Sequence, residues 1–93
     1  MLTLADDLGH LSYVVDGAGP PVVLVHAGVA DHHMWDAVVP ALAARHTAVP
    51  VVRYDLRGFG ESAPPTGPFD ETDDLLRLLD RLGLERVRLV GAS

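Results

Sequence analysis

Val87-Arg88-Leu89-Val90-Gly91-Ala92-Ser93 is the stretch on which the fold turns. Residues 86–90 read as a short apolar strand, and it runs directly into Gly-Ala-Ser. A strand that breaks into Gly-x-Ser is the first half of G-x-S-x-G, where a serine stands on a tight strand-to-helix turn with its hydroxyl exposed. Gly91 suits such a turn, because a side chain there is expected to collide with the packed strand and helix. The trio alone is common and proves little.

Two upstream segments give it weight. Leu24-Val25-His26-Ala27-Gly28 closes a second apolar strand, and Asp55-Leu56-Arg57-Gly58-Phe59-Gly60-Glu61-Ser62 follows a third. Residues 21–25 are apolar without alternation, which suits a strand covered on both faces, as in a parallel sheet. Residues 11–15 partly alternate, as an outer strand does, and the turn formers at 16–20 predict a hairpin between the two. Trp35, Val38, Val39 and Leu42 recur at helical spacing. Pro40 divides them into a short turn around Met34 and Trp35 and a helix that starts near the proline. Residues 49–54 form the next strand, and the Gly- and Pro-rich residues 56–68 a long loop. The clearest helix is capped by Asp70, carries Glu71, Asp73 and Asp74 at its positive end, and stops at Gly83. Thr72, Leu75, Leu76, Leu79 and Leu82 are expected on one face, with Asp73 and Arg77 paired at i,i+4. Strands alternating with helices imply an α/β fold with helices on both faces of a mostly parallel sheet.

Taken in this order and at these separations, the three segments resemble the N-terminal part of the α/β-hydrolase family, of the serine-nucleophile type. The resemblance runs from about Leu11 to Ser93 and makes residues 1–93 the N-terminal third of one partial domain, with no second domain. It implies that Ser93 is the nucleophile and that the Gly28 backbone N–H is an oxyanion-hole donor. The family text is usually His-Gly followed by a variable residue; here Ala27 stands where glycine is commoner, and Gly28 takes the variable position. The Asp55-x-Arg57-Gly58-x-Gly60-x-Ser62 segment is implied to be structural, its charged pair and glycines pinning a loop near the site. The family's acid and histidine follow the serine in chain order, and none of His10, His26, His32, His33 and His46 falls at that place. His26 is read as a brace for its loop.

The expected chemistry is hydrolysis of an ester, lactone or similar acyl bond in a small molecule through an acyl-enzyme, without a cofactor. Serine in place of aspartate at the turn argues against a dehalogenase or an epoxide hydrolase. These 93 residues alone are expected to be inactive, because base and acid are missing. Two further classes stay open: a non-catalytic binding or assembly module, and one half of a split hydrolase. In-frame DNA after the Ser93 codon encoding x-Gly and a later Asp and His would support a partial sequence. By the resemblance the last strand is central in the family sheet, so its bare side here should self-associate or accept a complementing C-terminal half.

Composition narrows the classes further. The apolar fraction of 48% is that of a globular core, and the formal charge of −6, with arginine supplying all seven basic residues, argues against nucleic acid or an anionic membrane as partner. Cysteine is absent, which excludes disulfides and thiolate chemistry. The acidic start, without a basic leader, points to a cytoplasmic protein. Asp31-His32-His33 is not read as a metal site, since adjacent histidines diverge on most backbones and no second ligand cluster is visible. Gly58-x-Gly60-x-x-Ala63 matches a dinucleotide pattern, but Pro64-Pro65 replaces the helix that would receive a pyrophosphate. Trp35 is read as core.

Overall fold

The computed structural model describes residues 2–6, 9–17, 21–45 and 50–92. Their strands are β1 (Leu2–Asp6), β2 (Gly9–Asp16), β3 (Val22–Val25), β4 (Val51–Tyr54) and β5 (Arg88–Gly91). A 3-10 turn (His32–Trp35) and α1 (Val38–Arg45) lie between β3 and β4, and α2 (Glu71–Leu82) between β4 and β5. The sheet order is β1-β2-β4-β3-β5. The three apolar strands β4, β3 and β5 are parallel, whereas β1 and β2 join antiparallel.

This is the α/β arrangement expected, with one correction. The N-terminal hairpin is β1 with β2, paired from Leu2 opposite Tyr13 to Asp6 opposite Gly9. Residues 16–20 do not join paired neighbours, because β2 lies against β4 and not against β3. The strand at 2–6 has no clear period in sequence and was legible only as an acidic start.

Alternation along the strands divides the core in two. Val23, Val52 and Tyr54 face α2 and pack with Leu4, Leu11, Tyr13, Leu56 and Leu78. Leu24 and Val51 face the opposite side with Trp35, and Val38, Val39 and Leu42 of α1 pack against them. Helices therefore cover both faces, and Trp35 is core.

Pro40 sits in the first turn of α1, where its missing N–H costs no helical bond. The side chain of Asp70 caps α2 by accepting the Thr72 N–H at 2.8 Å. Gly83 ends it in the left-handed region (φ 69°), a conformation that a Cβ disfavours. The buried face of α2 differs from the expected one by a small rotation: Leu78 is buried and Leu76 exposed. Arg77 pairs at i,i+3 with Asp74.

At one end of the sheet Tyr54, Val25 and Gly91 stand side by side in register. The three segments singled out in the sequence leave the sheet from this one edge. β5 ends the sheet among the described residues, and Leu89 and Val90 on it are 55% and 44% exposed.

Candidate active site

Asp55, the first residue past β4, organises this end of the molecule. Its side chain is fully buried, and its two oxygens serve different loops. Oδ1 accepts the His32 backbone N–H at 2.8 Å and the His32 Nδ1–H at 2.7 Å, while Oδ2 accepts the Glu61 N–H at 3.0 Å. The Ser62 hydroxyl donates to the Asp55 carbonyl and accepts the Ser12 N–H at 2.9 Å. Gly60 closes the loop beneath the carboxylate with φ 50°, and a Cβ there would collide with the Asp55 carboxylate. The loop is pinned, as the resemblance implies, but not by an Asp55–Arg57 pair. Arg57 turns to α2, where Nε donates to Asp74 Oδ2 at 2.8 Å and an Nη to Oδ1 at 2.7 Å, both side chains buried. Its guanidinium also lies 5.5 Å from the Phe69 ring centroid. Asp74 is therefore an anchor as well as a partner for the helix dipole.

Burial pushes the Asp55 carboxyl up, but the hydrogen bonds from the Glu61 and His32 amides and from the His32 ring outweigh it. The net position is below the ordinary carboxylate value. A carboxyl held low in the folded state stabilises that state above its unfolded pKa of about 3.9 and loses the contribution as pH falls through the folded pKa. The difference in unfolding free energy between the wild type and Asp55→Asn should therefore be constant near neutrality and shrink below about pH 4, read by urea titrations across that range. Tyr54 lies beneath the same edge. Burial first, then the charges of Glu71 and Asp74, push its hydroxyl up to about 12, so it stays a neutral phenol.

His26 behaves as the brace expected of it. It is buried, and its Nε2 accepts the Leu56 N–H at 2.8 Å. Nε2 must then be unprotonated, so Nδ1 carries the hydrogen and donates to the Ala27 carbonyl at 2.6 Å. One ring thus ties the loop after β3 to the loop after β4. The next turn is closed by the Ala30 N–H on the Ala27 carbonyl at 3.0 Å. Gly28 is exposed on it, and among the described residues its N–H has no hydrogen-bond partner. A Cβ at Gly28 would meet nothing within 4 Å, so the position is open to side chains.

On the neighbouring strand the Ala92 N–H donates to the Val25 carbonyl at 3.1 Å, and Ala92 packs against the Leu24–Trp35 core. Residues 88–91 are extended, as a strand leading to such a turn requires. Ser93 lies outside the described residues, as does His46. The crowding expected at Gly91 is not found among the described residues, where a Cβ would meet nothing within 4 Å.

The remaining described histidines are engaged elsewhere. His10 Nε2 lies 3.0 Å from the Glu61 carbonyl, and His33 Nδ1 lies 3.1 Å from an Asp36 oxygen at the surface. Asp36 is held below the ordinary carboxylate value by its hydrogen bonds to Arg53 and His33. The rings of His32 and His33 do not diverge as expected; their centroids are 4.1 Å apart. Asp31, His32 and Asp55 bring ligand-type atoms within 4.8 Å of one another, a grouping the sequence did not disclose. Hydrogen bonds account for it: Asp31 accepts the His33 N–H as a cap, and His32 donates to Asp55. His32 and Asp55 have the contact of a base and its orienting acid, but they serve to join the loops after β3 and β4.

A parallel β4-β3-β5 core with helices on both faces, and a β5 that ends at Gly91 where the sequence reads Gly-Ala-Ser, define a recognised class of enzyme scaffold. The family model of the alpha/beta hydrolase fold matches residues 20–93, and the chain belongs to that family. It is 39% identical to a fluoroacetate dehalogenase from Burkholderia sp., over 91% of this chain and 30% of the relative. It is 37% identical to a soluble epoxide hydrolase from Corynebacterium sp. (strain C12), over 88% of this chain and 29% of the relative. The crystal structure of the enol-lactonase from Burkholderia xenovorans LB400 superposes with a TM-score of 0.86 at 34% identity, covering 99% of this chain and 37% of that one. The chain thus spans about a third of the length of the proteins it matches. These relatives are hydrolases. No helix among the described residues is long and apolar enough to cross a membrane.

Proposed function

We propose that these residues are the N-terminal part of a serine hydrolase that cleaves ester, lactone or similar acyl bonds in small molecules through an acyl-enzyme. Ser93 attacks the carbonyl, the Gly28 N–H receives the negative charge that develops on oxygen, and water releases the acyl group. The base and its acid lie outside these 93 residues, which alone are inactive. The observation that carries the reading is the register at the sheet edge. It sets β3, whose following loop carries the open Gly28 N–H, next to the strand that delivers Ala92, the residue bonded to Ser93.

A dehalogenase or epoxide hydrolase is the second reading, favoured by two sequence relatives. Elementary chemistry weighs against it. A carboxylate that attacks an alkyl carbon forms an ester, which water can cleave at the carbonyl. A serine would form an ether, with no carbonyl for water to attack. The complete protein should therefore turn over p-nitrophenyl esters or lactones and release neither halide from haloacids nor diols from epoxides. Halide or diol turnover without ester cleavage would refute the acyl reading.

Gly28 offers a finer test. Gly28→Ala keeps the N–H and meets no neighbour, so kcat should change little. Gly28→Pro removes the donor and should lower kcat by about 10²–10³. Equal activity of the two variants would remove Gly28 from the site. The exposed edge of β5, with Leu89 and Val90, is the surface we assign to self-association or to a complementing C-terminal half.

A further inference from the structure

We propose that Met34 is an oxidation site that controls the 26–28 loop, with hydrogen peroxide or a related peroxide as oxidant; this rests on the reading of Gly28 as an oxyanion donor. Met34 Sδ lies 3.2 Å from the Ala27 nitrogen and accepts its N–H. Ala27 is buried and directly precedes Gly28, so the thioether fixes the peptide that leads to the donor. Met34 itself is 41% exposed, within reach of a small oxidant. The sequence holds no cysteine, and its second methionine is Met1, so Met34 is the one internal sulfur of these 93 residues.

In the reaction a sulfur lone pair attacks one peroxide oxygen. An S–O bond forms as the O–O bond breaks, and the departing hydroxide takes the proton of the transferred oxygen and leaves as water. Sulfur loses two electrons and the peroxide gains them, giving a sulfoxide that methionine sulfoxide reductases reverse. The gap between sulfur and the Ala27 nitrogen is already a donor–acceptor distance and holds no further heavy atom. The new oxygen must push the side chain back or turn away from the amide. Pushed back, the side chain offers its sulfoxide oxygen to the Ala27 N–H from a displaced position; turned away, it leaves that N–H without an acceptor. Either way the 3.2 Å contact is lost while His26 still grips Leu56, and Gly28 shifts from its place.

The test treats the complete enzyme with hydrogen peroxide and follows oxygen gain at the Met34 peptide by mass spectrometry. With Met34 oxidised, kcat should fall about tenfold, a fraction of the loss on deleting an oxyanion donor. KM should hold within about twofold, as for an interaction made in the transition state. Hydrogen exchange at the Ala27 amide should change, faster if the sulfoxide turns away and slower if its oxygen takes the N–H, and methionine sulfoxide reductase should restore both readouts. Met34→Leu should begin at a reduced kcat and be indifferent to peroxide. Inhibition that persists in Met34→Leu overturns the assignment, as does an unchanged kcat in an enzyme oxidised at Met34. Should the enzyme cleave no acyl substrate, the role of Gly28 falls. Ala27 exchange then decides separately whether Met34 holds the loop, and exchange unmoved by oxidation defeats that claim.

Discussion

Replacing Ser93 by alanine in the complete enzyme is expected to lower kcat by about 10⁶, with KM held within a few-fold. The size follows from the division of labour. Without the hydroxyl there is no acyl-enzyme, and what remains is the oxyanion donor and substrate binding, which sustain only a residual rate over water. The loss should come without loss of structure. Ala92 already fixes the end of β5 through the Val25 carbonyl and through packing on Leu24 and Trp35, and none of these contacts uses the serine side chain. Steady-state kinetics on an ester substrate, with thermal unfolding measured in parallel, separates the two effects. A variant that keeps a tenth of the wild-type rate would place the nucleophile elsewhere.

The second large effect is on stability. Asp74→Ala removes the carboxylate that Arg57 grips with two hydrogen bonds and that Arg77 also meets. Asp74 and Arg57 are both buried, so the substitution leaves a buried guanidinium without its bidentate partner. Breaking a buried pair from one side costs roughly 3–5 kcal/mol, a large share of the stability of a small domain. Asp73, one residue earlier and exposed, supplies the control. Asp73→Ala should cost no more than a few tenths of a kcal/mol, the scale of an exposed helical charge. Urea unfolding of the complete protein measures both. Equal costs would mean that Arg57 and Asp74 are not the anchor between the loop after β4 and α2.

Local signals carried most of the fold. Asp70 and Gly83 mark the ends of α2 because a cap and a left-handed stop each depend on neighbouring residues alone. Pro40 marks the first turn of α1 for the same reason, since a proline is tolerated only where no helical N–H is needed. What eluded sequence reasoning was long-range. β1 has no periodicity to declare it, and the pairing of β2 with β4, across β3 in chain order, depends on how three strands meet. The partners of Asp55 and Arg57 are likewise remote: His32 is 23 residues away and Asp74 is 17. A single sequence holds no distance information over such spans, and the acidic start of α2 offered three carboxylates of which only the fold selects Asp74. The rotation of α2 that buries Leu78 and exposes Leu76 is of the same kind. The site was legible as motifs and not as contacts. His26 could be read as a brace from its place after β3, but its link to Leu56 could not. The role of Met34 had no sequence signal, because a thioether that accepts a backbone N–H leaves no motif.

The central claim is that Ser93 is an activated nucleophile, and covalent capture addresses it most directly. The complete protein, incubated with a fluorophosphonate probe and digested, should yield one phosphonylated peptide, with the adduct on Ser93. Prior incubation with an ester substrate should slow labelling, and Ser93→Ala should abolish it. A protein that hydrolyses esters at full rate while Ser93 stays unmodified would contradict the account.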